Sequence, residues 1–241
     1  MLTLKLYDEI AGDDLGWLKA KHHFAIAGFG NPSHTPLGNL YVLNDDEIAP
    51  GRGFPMHAHT NVEIISYVRE GAVTHEDSLG NKGVTHAGDV QVMSAGTGIR
   101  HSEYNASDVP IRLFQIWLHP RLEERGRVPS WDTRPFPRAE RAGRFVPLAS
   151  GYGAPQSLPI RANAEVLGAL LKAGTTATYE IATDHGAYLV PATGVVTVNG
   201  LRLEARNAMT ITDELSITVA AVSDAELLLI ITPIGQQQHV A

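Results

Sequence analysis

The sequence predicts an all-β protein made of two similar halves. Short alternating or β-rich runs are broken by Gly, Pro and Asn-Gly, and no long stretch keeps a helical period. The halves share a signature, Gly71-Ala72-Val73-Thr74 against Gly194-Val195-Val196-Thr197. Short strands at regular spacing of this kind build barrels or sandwiches.

In chain order, the first half reads as strands at 40–43, 62–68, 72–76, 90–93 and 111–118, with Ser78-Leu79-Gly80-Asn81 as a hairpin turn. The second half reads as strands at 166–171, 178–181, 187–190, 195–198, 201–203, 209–212, 216–220 and 227–232, with Asn199-Gly200 as a type I′ turn. Residues 120–159 are rich in Pro, Arg and Gly and read as a connection. The division expected is a metal-binding domain at 1–125, a connector at 126–160 and a second domain without metal ligands at 161–241.

With 241 residues, 44% hydrophobic and 19% charged, the composition is that of an ordinary soluble globular protein. The formal charge of −7 argues against a nucleic-acid surface, which needs a basic footprint. MLTLKLYDEI lacks the basic and apolar regions of a signal peptide, and no apolar run reaches membrane-spanning length, so a cytoplasmic protein is expected. There is no cysteine, which leaves nitrogen and oxygen as the available metal donors.

Those donors occur in two triplets, His57-Ala58-His59 and His101-Ser102-Glu103. Alternate residues of a strand point to one face, so two such strands side by side aim three imidazoles and a carboxylate at one point. That set suits a first-row divalent ion and leaves positions open for exogenous ligands. Carrying the first triplet across by its offset from the repeated glycine lands near Glu180 and Ala182, so the second half has no such pair. His185 and His239 are expected to take no part.

Other groups compete. Glu63 shares the alternation of His57 and His59 and is a rival ligand. His75-Glu76-Asp77 could supply part of an Fe(II) oxygenase triad, but Asp77 precedes a hairpin turn and is assigned to it. Asn44-Asp45-Asp46-Glu47 reads as a solvated turn. Arg121, Arg125, Arg127, Arg134, Arg138, Arg141 and Arg144 are interleaved with acids and read as a solvated or ion-paired connector. Gly96-Thr97-Gly98 supplies backbone angles that turn His101 inward, and Met93, Phe54 and Trp117 read as core.

GRGFPMHAHTNVE, Gly51 to Glu63, resembles the first cupin motif, and Gly98-x-x-His101-x-x-x-Asn105 resembles the end of the second. GFPMHAH, EIISYVREG, THEDSLGN, GDVQVMSAGTGIRHSEYN and FQIWLHP resemble the pirin family, within it the bacterial proteins described as quercetin 2,3-dioxygenases. GWLKAKHHF and LYVLNDDEIAPG also match, so nearly all of the first half is covered, while the second half matches loosely. Two positions depart from the family pattern: Ala58 stands where Pro is usual, and Ala25-Ile26 where Ser-Phe is usual.

The resemblance implies a bicupin, two face-to-face jelly-roll β-barrels, with one metal held in the first by His57, His59, His101 and Glu103. It implies Fe(II), though the same ligands accept Mn, Co, Ni, Cu or Zn. It implies a monomer that cleaves a flavonol such as quercetin with O2 and releases carbon monoxide, the flavonol bound to the metal and Glu103 acting as base. The alternative it carries is a metal- or redox-sensing regulator that acts through protein partners without turnover.

Overall fold

A computed structural model describes residues 1–26 and 28–235; His239 lies outside the described residues. Three short helical turns, Tyr7–Glu9, Leu122–Glu124 and Arg138–Arg141, interrupt strand and loop. No helix among the described residues is long and apolar enough to cross a membrane.

Each half is a seven-stranded sheet and a four-stranded sheet, jelly-roll-like rather than a closed barrel. In the first half the larger sheet runs Ser130–Arg134, Val90–Ser94, Glu63–Glu70, Ile111–Leu118, Leu40–Ile48, Leu18–His22, Gly12–Asp14. The smaller runs Gly53–His59, Ile99–Asn105, Ala72–Asp77, Lys82–His86. The second half repeats the order: Leu2–Lys5, Ala208–Ile211, His185–Thr193, Ala225–Pro233, Glu165–Leu171, Val146–Ser150, Leu158–Pro159, and Thr176–Glu180, Ser216–Ala221, Val195–Val198, Leu201–Glu204. Two four-residue signatures therefore marked a real repeat, since the strands Ala72–Asp77 and Val195–Val198 occupy the same place in the two small sheets.

The two large sheets face one another. Ile65, Tyr67, Phe114 and Ile116 of the first pack with Tyr188, Val190, Leu228 and Ile230 of the second in one buried core. Because successive side chains alternate, the opposite face of each large sheet fills the interior of its own half. There the halves differ. In the second, Leu167, Leu229, Leu189 and Met209 are cross-strand neighbours in one row, packed on Val196, Ile217 and Val219. The same row of the first half is Asn44, Gln115, Ser66 and Gln91. Its apolar packing is split into a cluster holding Val68 and Leu113 and another holding Ile64 and Met93, on either side of that row along the strands.

Several expectations need correction. Asn44 to Glu47 is no turn but the middle of the strand Leu40–Ile48, five residues longer than expected. Both aspartates are buried, Asp45 1% and Asp46 2% exposed. Asp45 joins Arg69 and Arg206 between the halves, its Oδ2 2.6 Å from Arg206 Nε. Clustered acids mimic a solvated turn when the cations that neutralise them lie far away in sequence. The stretch read as a connector contributes Ser130–Arg134 to the first half and Val146–Ser150 and Leu158–Pro159 to the second. Within it Arg141 is fully buried, its Nη1 2.6 Å from the Tyr67 hydroxyl and its Nη2 donating to the Gly88 carbonyl. Leu2–Lys5, from the start of the chain, pairs with Ala208–Ile211 of the second half.

The turns follow expectation. Asn199 and Gly200 have φ of 46° and 86°, the two positive values a type I′ turn requires. Between Ser94 and Ile99, Gly96 and Gly98 have φ of 47° and 136°, and a Cβ at Gly96 would collide with the Arg127 carbonyl. This turn starts the strand that carries His101.

Candidate metal centre

Gly53–His59 and Ile99–Asn105 are adjacent antiparallel strands, with Ile99 opposite His59 and His101 opposite His57. His57 and His59 leave the same face of one strand, and His101 leaves that face of its neighbour. Their ring centroids lie 4.5 Å (His57 to His101), 4.8 Å (His57 to His59) and 5.2 Å (His59 to His101) apart. One nitrogen from each ring lies within 4.8 Å of the other two.

A bulge between His101 and Glu103 shifts the register, so that Glu103 faces Phe54. Bulges re-aim side chains in this way. Glu103 consequently groups with His101 and His75 within 4.8 Å and not with the His57–His59–His101 cluster, while lining the same cavity as His57 and His59. Its Oε1 accepts from Ser66 Oγ at 3.2 Å and from Gln91 Nε2, and its Oε2 from Gln115 Nε2 at 2.8 Å. Three members of the polar row thus serve one carboxylate. Burial pushes Glu103 up to about 7, against the pull of those three donors.

Burial, helped by the neighbouring His57, takes His59 down to about 4. Burial, then the surrounding histidines, takes His101 to about 3. Both are neutral imidazoles at physiological pH, the form that binds metals. His57 Nδ1 donates to the Pro55 carbonyl at 2.8 Å, which leaves its Nε2 as a lone-pair donor.

A cavity of about 340 Å³ opens on His57, His59 and Glu103. Leu15, Phe29, Phe54 and Trp117 form apolar walls, with His22, Asn44, Asp46, Glu103 and Gln115 as polar ones. Phe54 and Trp117, read from sequence as core, pack against the two apolar clusters of the first half and also line the cavity; Trp117 alternates with Ile116 and Leu118, which face the core between halves. Met93 is buried core as expected. His22 lies 3.0 Å from both Asn44 Oδ1 and Asp13 Oδ2. Sequence reasoning passed over it, although the alternation Leu18-Ala20-His22 was there to be followed.

Glu63 is placed elsewhere. Its Oε2 accepts from Ser94 Oγ at 2.7 Å and from the Arg161 backbone N–H at 2.9 Å, so it ties the first half to the chain just past the connector. Asp77 holds the hairpin, accepting from the Leu79 and Asn81 backbone at 2.9 and 3.1 Å.

The Pirin family model matches residues 4–118, and a second model, Quercetinase C-terminal cupin domain, matches 147–230. A pirin-like protein of Caulobacter vibrioides is 56% identical over 95% of this chain and 99% of its own length. The chain belongs to the pirin family. A quercetin 2,3-dioxygenase of Escherichia coli K12 is 37% identical over 97% of this chain and 99% of its own. The crystal structure of the bacterial pirin YhhW from Escherichia coli in complex with nickel(II) superposes with a TM-score of 0.90 at 36% identity, covering 98% of this chain and all of that one.

In this pirin the donor set fits one divalent ion. Three imidazoles converge, and His59 Nε2 is buried without a hydrogen-bond partner, a cost that coordination would relieve. The strand at the corresponding place in the second half, Thr176–Glu180, and its neighbour Ser216–Ala221 carry no histidine.

Proposed function

We propose that this pirin cleaves a flavonol such as quercetin with O2 and releases carbon monoxide, at one divalent ion, Fe(II), held by His57, His59, His101 and Glu103. The observation that carries the reading is the convergence of three imidazoles, two of them, His57 and His59, lining an aromatic-walled cavity of about 340 Å³, a size within the range of small-molecule sites. A bound divalent ion supplies Lewis-acid polarisation of a coordinated oxygen.

The chain supplies the rest. Glu103 takes the proton of the flavonol 3-hydroxyl, as a carboxylate facing the cavity can. Ser66, Gln91 and Gln115 keep it in place as it changes charge. Phe54 and Trp117 offer flat apolar faces for a planar polyphenol and keep water from the reacting carbon.

The test is to measure the metal content of purified protein and incubate it with quercetin under O2, following flavonol absorbance and carbon monoxide. Turnover with carbon monoxide release is expected. A tight metal-dependent complex with another protein, without turnover, overturns the enzymatic reading in favour of the regulator, and dependence on 2-oxoglutarate overturns it in favour of a different oxygenase.

A further inference from the structure

We propose that Asp13, held in place by His22, sets the substrate class of the cavity. It accepts a hydrogen bond from a ligand hydroxyl remote from the metal-bound oxygen, so a polyhydroxylated flavonol is preferred over one whose single hydroxyl goes to the metal. This rests on the flavonol reading above and deepens it.

The polar row of the first large sheet extends beyond the part that serves Glu103. His22, Asn44, Gln115, Ser66 and Gln91 are successive cross-strand neighbours. Gln115, Ser66 and Gln91 donate to Glu103 at one end. At the other end the next and last strand is Gly12–Asp14, with Asp13 opposite Ala20 and so on the same face as Ala20 and His22. Neighbouring strands lie about 4.8 Å apart, which puts Asp13 three spacings, about 14 Å, from Gln115 at the backbone. The cavity that opens on His57, His59 and Glu103 also reaches His22 and Asp13. Two carboxylates therefore stand at opposite ends of one cavity.

His22 is tied at both nitrogens. Its Nδ1 is 3.0 Å from Asn44 Oδ1, and its Nε2 donates to Asp13 Oδ2 at 3.0 Å, since a carboxylate can only accept. The ring also lies against Phe29, with centroids 6.0 Å apart. No nitrogen of His22 is left for a ligand, which makes it a positioning residue. Asp13 has an oxygen to spare: among the described residues Oδ1 takes no hydrogen bond, and the side chain is 47% exposed. A Cβ at Gly12 would collide with the Ala20 carbonyl oxygen, so glycine lets this edge strand run close against Leu18–His22. The group that such an oxygen selects is a donor, a phenolic hydroxyl rather than a bare ring carbon or an ether.

Asn44 and Asp46 also line the cavity and fit this role less well. Asn44 is engaged by His22. Asp46 is 2% exposed and lies on Leu40–Ile48, one strand from Gln115 and so nearer the metal end.

The experiment titrates the nickel(II)-loaded full-length chain, without O2, with quercetin and with 3-hydroxyflavone, whose one hydroxyl is at position 3. Quenching of tryptophan fluorescence reports binding, because Trp117 is cavity wall. The quantity read is the ratio of the two affinities in each protein. Wild type should favour quercetin about tenfold, the lower end for a hydrogen bond to a charged group, because Asp13 is half exposed. Asp13→Ala, on an exposed edge strand, should fold normally and abolish the preference by weakening quercetin alone. His22→Phe keeps a ring beside Phe29 but leaves Asp13 unheld, and should lower the preference part of the way. Asp14→Ala removes the same charge one residue along, outside this cavity, and should keep the preference whole. No preference in the wild type, a preference that survives Asp13→Ala, equal weakening of both flavonols in that variant, or equal loss in Asp14→Ala would each overturn the assignment. A wild type that binds neither flavonol overturns the flavonol reading itself, and this inference with it.

Discussion

Gln115 links the wall of the cavity to its carboxylate: Nε2 donates to Glu103 Oε2 at 2.8 Å, while Oε1 accepts from Trp117 Nε1 at 3.2 Å. At the same sheet position in the second half stands Leu229, inside a continuous apolar core. Two halves with one topology thus diverge along this cross-strand row as well as at the donors of the small sheet. Burying polar groups is costly unless they are paired, and each member of the first-half row is paired: Asn44 with His22, and Gln115, Ser66 and Gln91 with Glu103. Fold and site therefore have the same origin, one half filled by leucine and the other kept polar around a metal-binding cluster.

Glu103→Gln separates coordination from proton transfer. A carboxamide still offers an oxygen but accepts no proton near neutral pH, so metal content should largely persist with three imidazoles in place. Flavonol turnover should fall roughly 10²–10⁴-fold. Glu63→Gln is the matched control, since Glu63 fastens Ser94 and Arg161 rather than facing the cavity. It should lower stability by about 1 kcal/mol and spare turnover. The reverse pattern, with only the Glu63 variant inactive, would sink the assignment.

Elemental analysis of the purified chain should find one metal ion, because both His and carboxylate clusters among the described residues lie in the first half and share His101. His59→Ala and His101→Ala should each strip it. His185→Ala should not, as His185 sits between Tyr152 and Asp184. Two tightly held equivalents would place a second site where no paired donors have been identified.

His23 predicts the acid limb of stability. It is completely buried, Nδ1 lies 3.0 Å from the Tyr188 hydroxyl, and Nε2 has no partner. Burial, then the charge of Lys5, takes it from 6.5 down to about 3. The unfolded chain binds this proton first, so the contribution is fully present above pH 6.5 and is lost as pH falls towards 3, on the order of 4 kcal/mol. Denaturant melts of wild type and His23→Gln should converge as pH falls; curves that stay parallel between pH 7 and 4 would show that His23 takes no part.

What was legible in the sequence is what local pattern encodes. The Asn199-Gly200 turn and the strands at 111–118 and 195–198 rest on spacing or turn chemistry, and each lies where expected. Alternation says that a strand has two different faces without saying which one is buried. Here both faces of the first large sheet are buried, so the polar residues Ser66, Gln91 and Gln115 lie inside. The strands Leu2–Lys5 and Ser130–Arg134 went unseen because their partners lie far along the chain. Asp45 was misread for a similar reason, its cations being Arg69 and Arg206.

Asp46 gives the last prediction. It faces the cavity, is 2% exposed, and its Oδ1 has no hydrogen-bond partner. Burial, then the charges of Asp45 and Glu103, takes it from 3.8 up to about 8, against the pull of Arg69. The folded chain holds this proton more tightly than the unfolded one, so its contribution is full below pH 3.8 and is lost as pH rises to 8. Asn has nearly the same shape and never ionises. Asp46→Asn should therefore stabilise the metal-free protein at pH 7, on the order of 2 kcal/mol once relaxation of the site is allowed for, with no gain at pH 4. Burial holds the group toward its neutral form, so the variant should also keep flavonol turnover within about tenfold. Chemical denaturation at pH 4 and pH 7 measures the first effect. Equal stabilities at both would mean that Asp46 is already ionised, and a collapse of turnover would mean that it acts as a carboxylate in the reaction.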